Sequence, residues 1–185
     1  MHRRPALAIF ALLPATALSC AASSSVPASP AGVVVESITV TSKSFSSGRP
    51  IPLDHTCDGS NTSPDVTWSS PPEGTQSIVI TLDDVEGGDG VSSRWIMFDI
   101  RPEARTFRAG ADPSSVGAKV AKLDADHTGY RGPCPPRRVG HHFSLRVTAL
   151  DRPLGLTETA DREAVNAAMN GHVLGTGELV GTVVR

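Results

Sequence analysis

Phe143-Ser144-Leu145-Arg146-Val147-Thr148-Ala149 decides the fold, because it sets apolar side chains at 143, 145, 147 and 149 between polar neighbours. Successive side chains of an extended chain point to opposite faces, so a period of two describes a strand with one buried face. Outward from this stretch the pattern recurs. Ser77 to Leu82 places Ile78, Ile80 and Leu82 on one face, and Trp95 to Ile100 is a short apolar run. Val33 to Thr41 is rich in β-branched residues, and Leu179 to Val184 closes the chain in the same manner. Gly, Pro, Asp and Ser fill the intervals between them. Short period-two segments broken by turn signals predict a mainly β, largely antiparallel sheet or sandwich.

One segment reads as a helix. Thr159 is placed to cap it, Asp161 and Glu163 fall in its first turn, and Ala160, Ala164, Val165, Ala168 and Met169 form a helical stripe that Gly171 ends. It is expected to support the sheet, not to hold a cofactor.

The N-terminal end has a different character. His2, Arg3 and Arg4 precede an uncharged run from Ala6 to Leu13, and small residues lead up to Cys20. Residues 1–19 therefore read as a secretory signal peptide, the apolar run being too short to span a bilayer about 30 Å thick. Cys20 stands where a bacterial lipoprotein carries its acylated cysteine, although Leu18 lies two positions before it instead of the usual three. Cleavage nearby and plain secretion form the alternative. Residues 20–32, the anchor cysteine and a Ser/Ala/Pro tract without charge, read as a flexible tether, and residues 33–185 as one domain. The expected location is outside the cytoplasm, on the outer face of the cell membrane through a lipid on Cys20, or otherwise secreted.

Charge narrows the partners. The chain has 17 Lys and Arg against 19 Asp and Glu, and removal of the leader leaves 15 basic residues. Apart from Arg137-Arg138 these are scattered, so nucleic acid is not an expected partner. Beyond Cys20 the thiols are Cys57 and Cys134. Outside the cytosol they form a candidate disulfide, closing a loop of about 80 residues worth about 4 kcal/mol in the chain-entropy view; two buried free thiols are the alternative.

Several segments bear on chemistry. The loop Ile51 to Pro64 is dense in Asp, Asn, Gly, Ser and Thr, residues that build turns through side-chain-to-backbone bonds. Gly129 to Pro136 is a second, rigid loop whose exposed N–H groups suit an anion. Asp83-Asp84-Val85-Glu86 runs into Gly87-Gly88-Asp89-Gly90, but its spacing is not that of a helix-loop-helix calcium loop. His141 and His142 open a strand and therefore face opposite sides. The Gly-x-Ser-x-Gly elbow, the phosphate-binding glycine loop and the dinucleotide fingerprint are absent from the sequence. No catalytic constellation, metal or cofactor is expected.

Taken together these residues resemble a known family. Cys57-Asp58-Gly59-Ser60-Asn61-Thr62-Ser63-Pro64, Trp68 and Pro72-Glu73-Gly74-Thr75-Gln76-Ser77 resemble the opening of bacterial phosphatidylethanolamine-binding proteins, also called Raf-kinase-inhibitor-like proteins. The likeness continues, in the family's order, through Arg94-Trp95-Ile96-Met97-Phe98-Asp99-Ile100, Gly129 to Pro136, His141-His142-Phe143, Ala149-Leu150-Asp151 and Gly171 to Thr182. The resemblance implies a central antiparallel sheet packed on a smaller one, a short helix near the C-terminus, and a small cavity for anions such as a phospholipid headgroup. Carried over, the cavity residues are Asp83, Arg94, Gly132, Pro133, His141 and Phe143. Three depart from the family's pattern: Asp84-Val85 follows Asp83 in place of Pro-Asp, Arg94 replaces His, and Phe143 replaces Tyr. Arg94 brings a permanent charge and a planar fork of donors. It is expected either to bind an anion or to pair with Asp83 and plug the site. The resemblance thus implies an exported, small-ligand-binding protein. A protein-protein regulator of an extracytoplasmic protease or kinase is the alternative, and a hydrolase using His141 comes third.

Overall fold

The computed structural model describes residues 34–88 and 92–185. The leader, Cys20, the 20–32 tether and the Asp89-Gly90 end of the glycine-rich turn lie outside them. Among the described residues the strands are β1 (Glu36–Ser37), β2 (Val40–Thr41), β3 (Val66–Trp68), β4 (Ser77–Asp84), β5 (Ser92–Ile100), β6 (Thr106–Phe107), β7 (Lys119–Val120), β8 (Lys122–Asp124), β9 (His127–Thr128), β10 (Gly140–Leu150) and β11 (Val173–Val184). One α-helix, α1 (Arg162–Met169), precedes β11.

The strands form a six-stranded sheet in the order β1-β11-β10-β4-β5-β7, a three-stranded sheet β2-β3-β6 and a β8-β9 pair. Neighbours are antiparallel except β1, which runs parallel to β11. The alternating stretch from Phe143 to Ala149 lies on β10, at the centre of the large sheet. Phe143, Leu145, Val147 and Ala149 are wholly buried and face inward. They pack with Ile78, Ile80 and Leu82 of β4 against Val40, Val66, Trp68 and Phe107 of the small sheet. The other face of the large sheet carries a second apolar cluster, in which Val79, Ile96, Phe98 and Leu150 meet Val165 of α1. The mainly β expectation holds, with one sheet packed on a smaller one and the helix on the outer face.

The helix begins later than its sequence pattern suggests. Asp161 caps it, its carboxylate accepting the Ala164 N–H at 2.9 Å. Thr159 instead shares a hydrogen bond with the Thr157 hydroxyl. Both residue types cap well, and the local Thr157–Thr159 contact leaves the role to Asp161.

Candidate functional site

At one end of the large sheet β4, β5 and β10 converge on a cleft of about 450 Å³. It is lined by Asp84, Glu86, Gly87, Gly88, Ser92, Arg94, Cys134, Pro136 and His141. Strand alternation explains its floor. Ile78, Ile80, Leu82 and Asp84 share one face of β4, and the same face of β10 carries His141 and Phe143 across from them. Asp84 therefore ends a buried apolar row with a carboxylate that is only 1% exposed.

Asp84 holds two partners. Its Oδ1 lies 2.8 Å from His141 Nδ1, and its Oδ2 accepts from Arg94 Nη2 at 3.3 Å. The contact to Nδ1 fixes the His141 ring, which stacks on Phe143 at 6.4 Å between centroids. The Arg94 side chain engages no other hydrogen-bond partner among the described residues, and its buried Nε–H has none; its carbonyl accepts the Arg131 N–H of the neighbouring loop at 2.8 Å. A buried donor left unsatisfied costs about 1–3 kcal/mol. The rim is tied by Glu86, whose carboxylate accepts the His142 N–H at 2.6 Å and meets His142 Nδ1 at 2.7 Å. The N–H of His142, and then its imidazole, hold the Glu86 carboxyl below the usual carboxylate range. The opposed directions expected for His141 and His142 are thus realised, one in the cleft and one at its rim.

The far wall is the Gly129 to Pro136 loop, fastened to the Ile51 to Pro64 loop. Cys57 and Cys134 are joined by a disulfide with Cα atoms 5.4 Å apart. The Gly132 N–H donates to Asn61 Oδ1 at 2.7 Å, and the Cys57 N–H donates to the Pro133 carbonyl at 3.2 Å. Only glycine fits at 132, where a Cβ would lie 2.7 Å from the Thr56 carbonyl carbon. Tyr130, whose hydroxyl donates to the His55 carbonyl and whose ring meets Trp95 edge-on, anchors the same loop to the core.

The structure sorts the six residues singled out from the sequence. Arg94 and His141 line the cleft. Asp83 does not: it points to the opposite face of the sheet, so the carboxylate beside Arg94 is Asp84 and the expected Asp83–Arg94 pair is corrected to Asp84–Arg94. Gly132 and Pro133 are buried behind the wall, which Cys134 and Pro136 form instead. Phe143 lies wholly buried beneath His141, where a tyrosine hydroxyl would need a partner. Asp84 was legible in principle, because it continues the Ile78-Ile80-Leu82 row by one step of two. Glu86 and Ser92 gave no such signal.

Asp84, Glu86 and His141 also bring ligand atoms within 4.8 Å of one another. The Arg94 guanidinium already places positive charge on Asp84, and His142 already occupies Glu86. Larger hollows exist, one of about 810 Å³ beside Lys43, Arg105 and Arg108, but these three side chains are exposed. At Arg94 a half-buried guanidinium meets a buried carboxylate under an opening to solvent.

Fold and cleft together define a small β protein with a charged edge pocket. Residues 41–184 match the family model described as phosphatidylethanolamine-binding protein, and the chain belongs to that family. It is 37% identical over 158 residues to a UPF0098 protein of Aquifex aeolicus, covering 83% of this chain and 91% of that one. A Mycobacterium tuberculosis relative named "Putative lipoprotein LppC" is 33% identical over 152 residues, covering 80% of this chain and 72% of that one. Among solved structures, the phosphatidylethanolamine-binding protein homologue CT736 of Chlamydia trachomatis superposes with a TM-score of 0.73 at 32% identity, covering 81% of this chain and 99% of its own. YbcL of Escherichia coli superposes with a TM-score of 0.74 at 25% identity, covering 80% and 98%.

Proposed function

We propose that this protein is an exported, lipid-anchored binding protein whose cleft takes a small anion, such as a phosphorylated headgroup, on Arg94. The observation that carries the reading is the state of Arg94. Its charge is permanent, its side chain is 17% exposed, and of its donors only Nη2 is engaged among the described residues. An oxyanion arriving in the cleft supplies what the unsatisfied Nε–H lacks, and guanidinium binds such groups bidentately. The ring of His141, held at Nδ1 by Asp84, offers its Nε2 as a second contact. Asp84 competes with the ligand for Arg94, which favours modest and exchangeable binding.

Binding is preferred to hydrolysis because no serine, threonine or cysteine among the described residues hydrogen-bonds His141. Support for export comes from the leader at 1–19 and from the name of the mycobacterial relative. The described residues contain no helix long and apolar enough to cross a membrane, so membrane attachment in this reading falls to Cys20.

Isothermal titration with phosphoethanolamine tests the cleft. Binding is expected at pH 6 and to persist at pH 8, because arginine does not discharge in that range; Arg94→Ala is expected to abolish it. Absence of heat at both pH values contradicts the reading. For the anchor, Cys20→Ser is expected to release the protein from the membrane fraction into the medium, and an unchanged distribution contradicts anchoring there.

A further inference from the structure

β5 carries one residue more than its partner where it passes the cleft. Leu82 pairs with Trp95 and Asp83 with Ser93, so Arg94 has no opposite residue on β4. Such an insertion is a β-bulge, which breaks the alternation of faces and re-aims a side chain. Its effect here is specific. Trp95 packs in the inter-sheet core against Phe107 and Tyr130, yet its neighbour Arg94 reaches Asp84 on that same side. In an unbroken strand Arg94 would point the other way, beside Ile96 and the helix.

Ser93 has gone to the far face in its place, where its hydroxyl donates to Asp83 Oδ1 at 2.8 Å. Arg162, the first residue of α1, closes the group. Its Nη1 donates to Asp83 Oδ1 and to the Ser93 hydroxyl, and its Nη2 donates to Asp83 Oδ2 at 3.2 Å. The Thr81 hydroxyl adds a bond to Asp83 Oδ2 at 3.2 Å. Asp83 and Ser93 are the chain neighbours of Asp84 and Arg94, so whatever fixes the first pair fixes the second on the opposite face.

We propose that Arg162 is a positioning residue for the anion cleft: by clamping Asp83 to Ser93 on the far face of the sheet, it holds the bulge that turns Arg94 into the cleft. The inference rests on the anion-binding reading of that cleft. Arg162 acts in two ways. It draws Ser93 and Asp83 to its own side. Its charge also opposes the slipped register, in which the bulge is lost and a second guanidinium, that of Arg94, arrives beside it.

Two readouts test this. The Arg94 Nε–H resonance in a nitrogen-15 spectrum reports where the guanidinium lies, with or without ligand. Titration with inorganic phosphate reports affinity. In the full-length protein Arg162→Ala is expected to shift the Arg94 resonance and weaken phosphate binding about ten-fold, the scale on which groups that orient a binding residue act. Ser93→Ala, a smaller lesion that keeps the ion pair, is expected to do the same to a lesser degree, and it decides the matter if Arg162→Ala does not fold. Arg146→Ala, which removes a cation from the exposed pair with Glu178, is expected to change neither readout. An unmoved Arg94 resonance in the folded Arg162→Ala or Ser93→Ala protein overturns the proposal, whatever the affinity does. If the wild-type protein fails to bind phosphate, the anion reading fails while the resonance still decides the role of Arg162.

Discussion

Asp83 and Asp84 are consecutive, both are buried, and each meets an arginine, yet their surroundings give them different consequences. Asp83 is satisfied on the closed side of the sheet by Arg162, Ser93 and Thr81. Asp84 sits on the open side, where its partners Arg94 and His141 line a cleft. One step along a strand is enough to exchange an ion pair closed within the sheet for one that lines an open cleft. The chemistry of a carboxylate follows from what lies opposite it and from whether water reaches the pair.

The largest effect expected on this contrast comes from the disulfide, which belongs to the cleft side alone. Replacing Cys57 and Cys134 with serine should lower stability by about 4 kcal/mol in urea unfolding. Hydrogen exchange should then quicken in the Gly129 to Pro136 wall more than in α1. Equal quickening on both sides would erase the distinction.

A charge lesion sharpens it next. Asp83→Ala strands Arg162 without its counter-charge and should cost about 3 kcal/mol, since a partly buried ion pair loses one partner. Phosphate should not restore that loss. Asp84→Asn should cost less, about 1 kcal/mol, and should raise phosphate affinity several-fold because no carboxylate then competes for Arg94. Thermal melts with and without phosphate check both, and a fall in affinity for Asp84→Asn would break the comparison.

The smallest effect concerns the rim. The Glu86 carboxyl is held below its usual range by the His142 N–H and imidazole. A depressed carboxylate contributes stability above its unfolded value, about 4.3, and loses it as pH falls through the folded value. Glu86→Gln should therefore flatten the stability loss below about pH 4. An unchanged acid slope would show the clasp to be inconsequential.

Much of the fold was legible in the residues. The alternation at 143 to 149 located the central strand, and Ile78, Ile80 and Leu82 located its neighbour. The site was harder to read for a physical reason. Side-chain direction follows parity along a strand, and parity fails at a bulge. Family position points to Arg94, although nothing in Ser92-Ser93-Arg94-Trp95 announces that Arg94 and Trp95 share a side. The family motif points to Asp83, whereas counting in twos from Ile78 leads to Asp84. Gly132 and Pro133 make their loop rigid, and rigidity serves here to hold the wall that Cys134 and Pro136 present. The Arg162 contacts join residues distant in sequence and left no local trace.

A crystal structure of the protein soaked in phosphate decides whether Arg94 holds an anion. An anion is expected in the cleft, bonded to Arg94 and within reach of His141 Nε2, with the Asp84–Arg94 contact lengthened. An empty cleft with Asp84 still closed on Arg94 at saturating phosphate would contradict it.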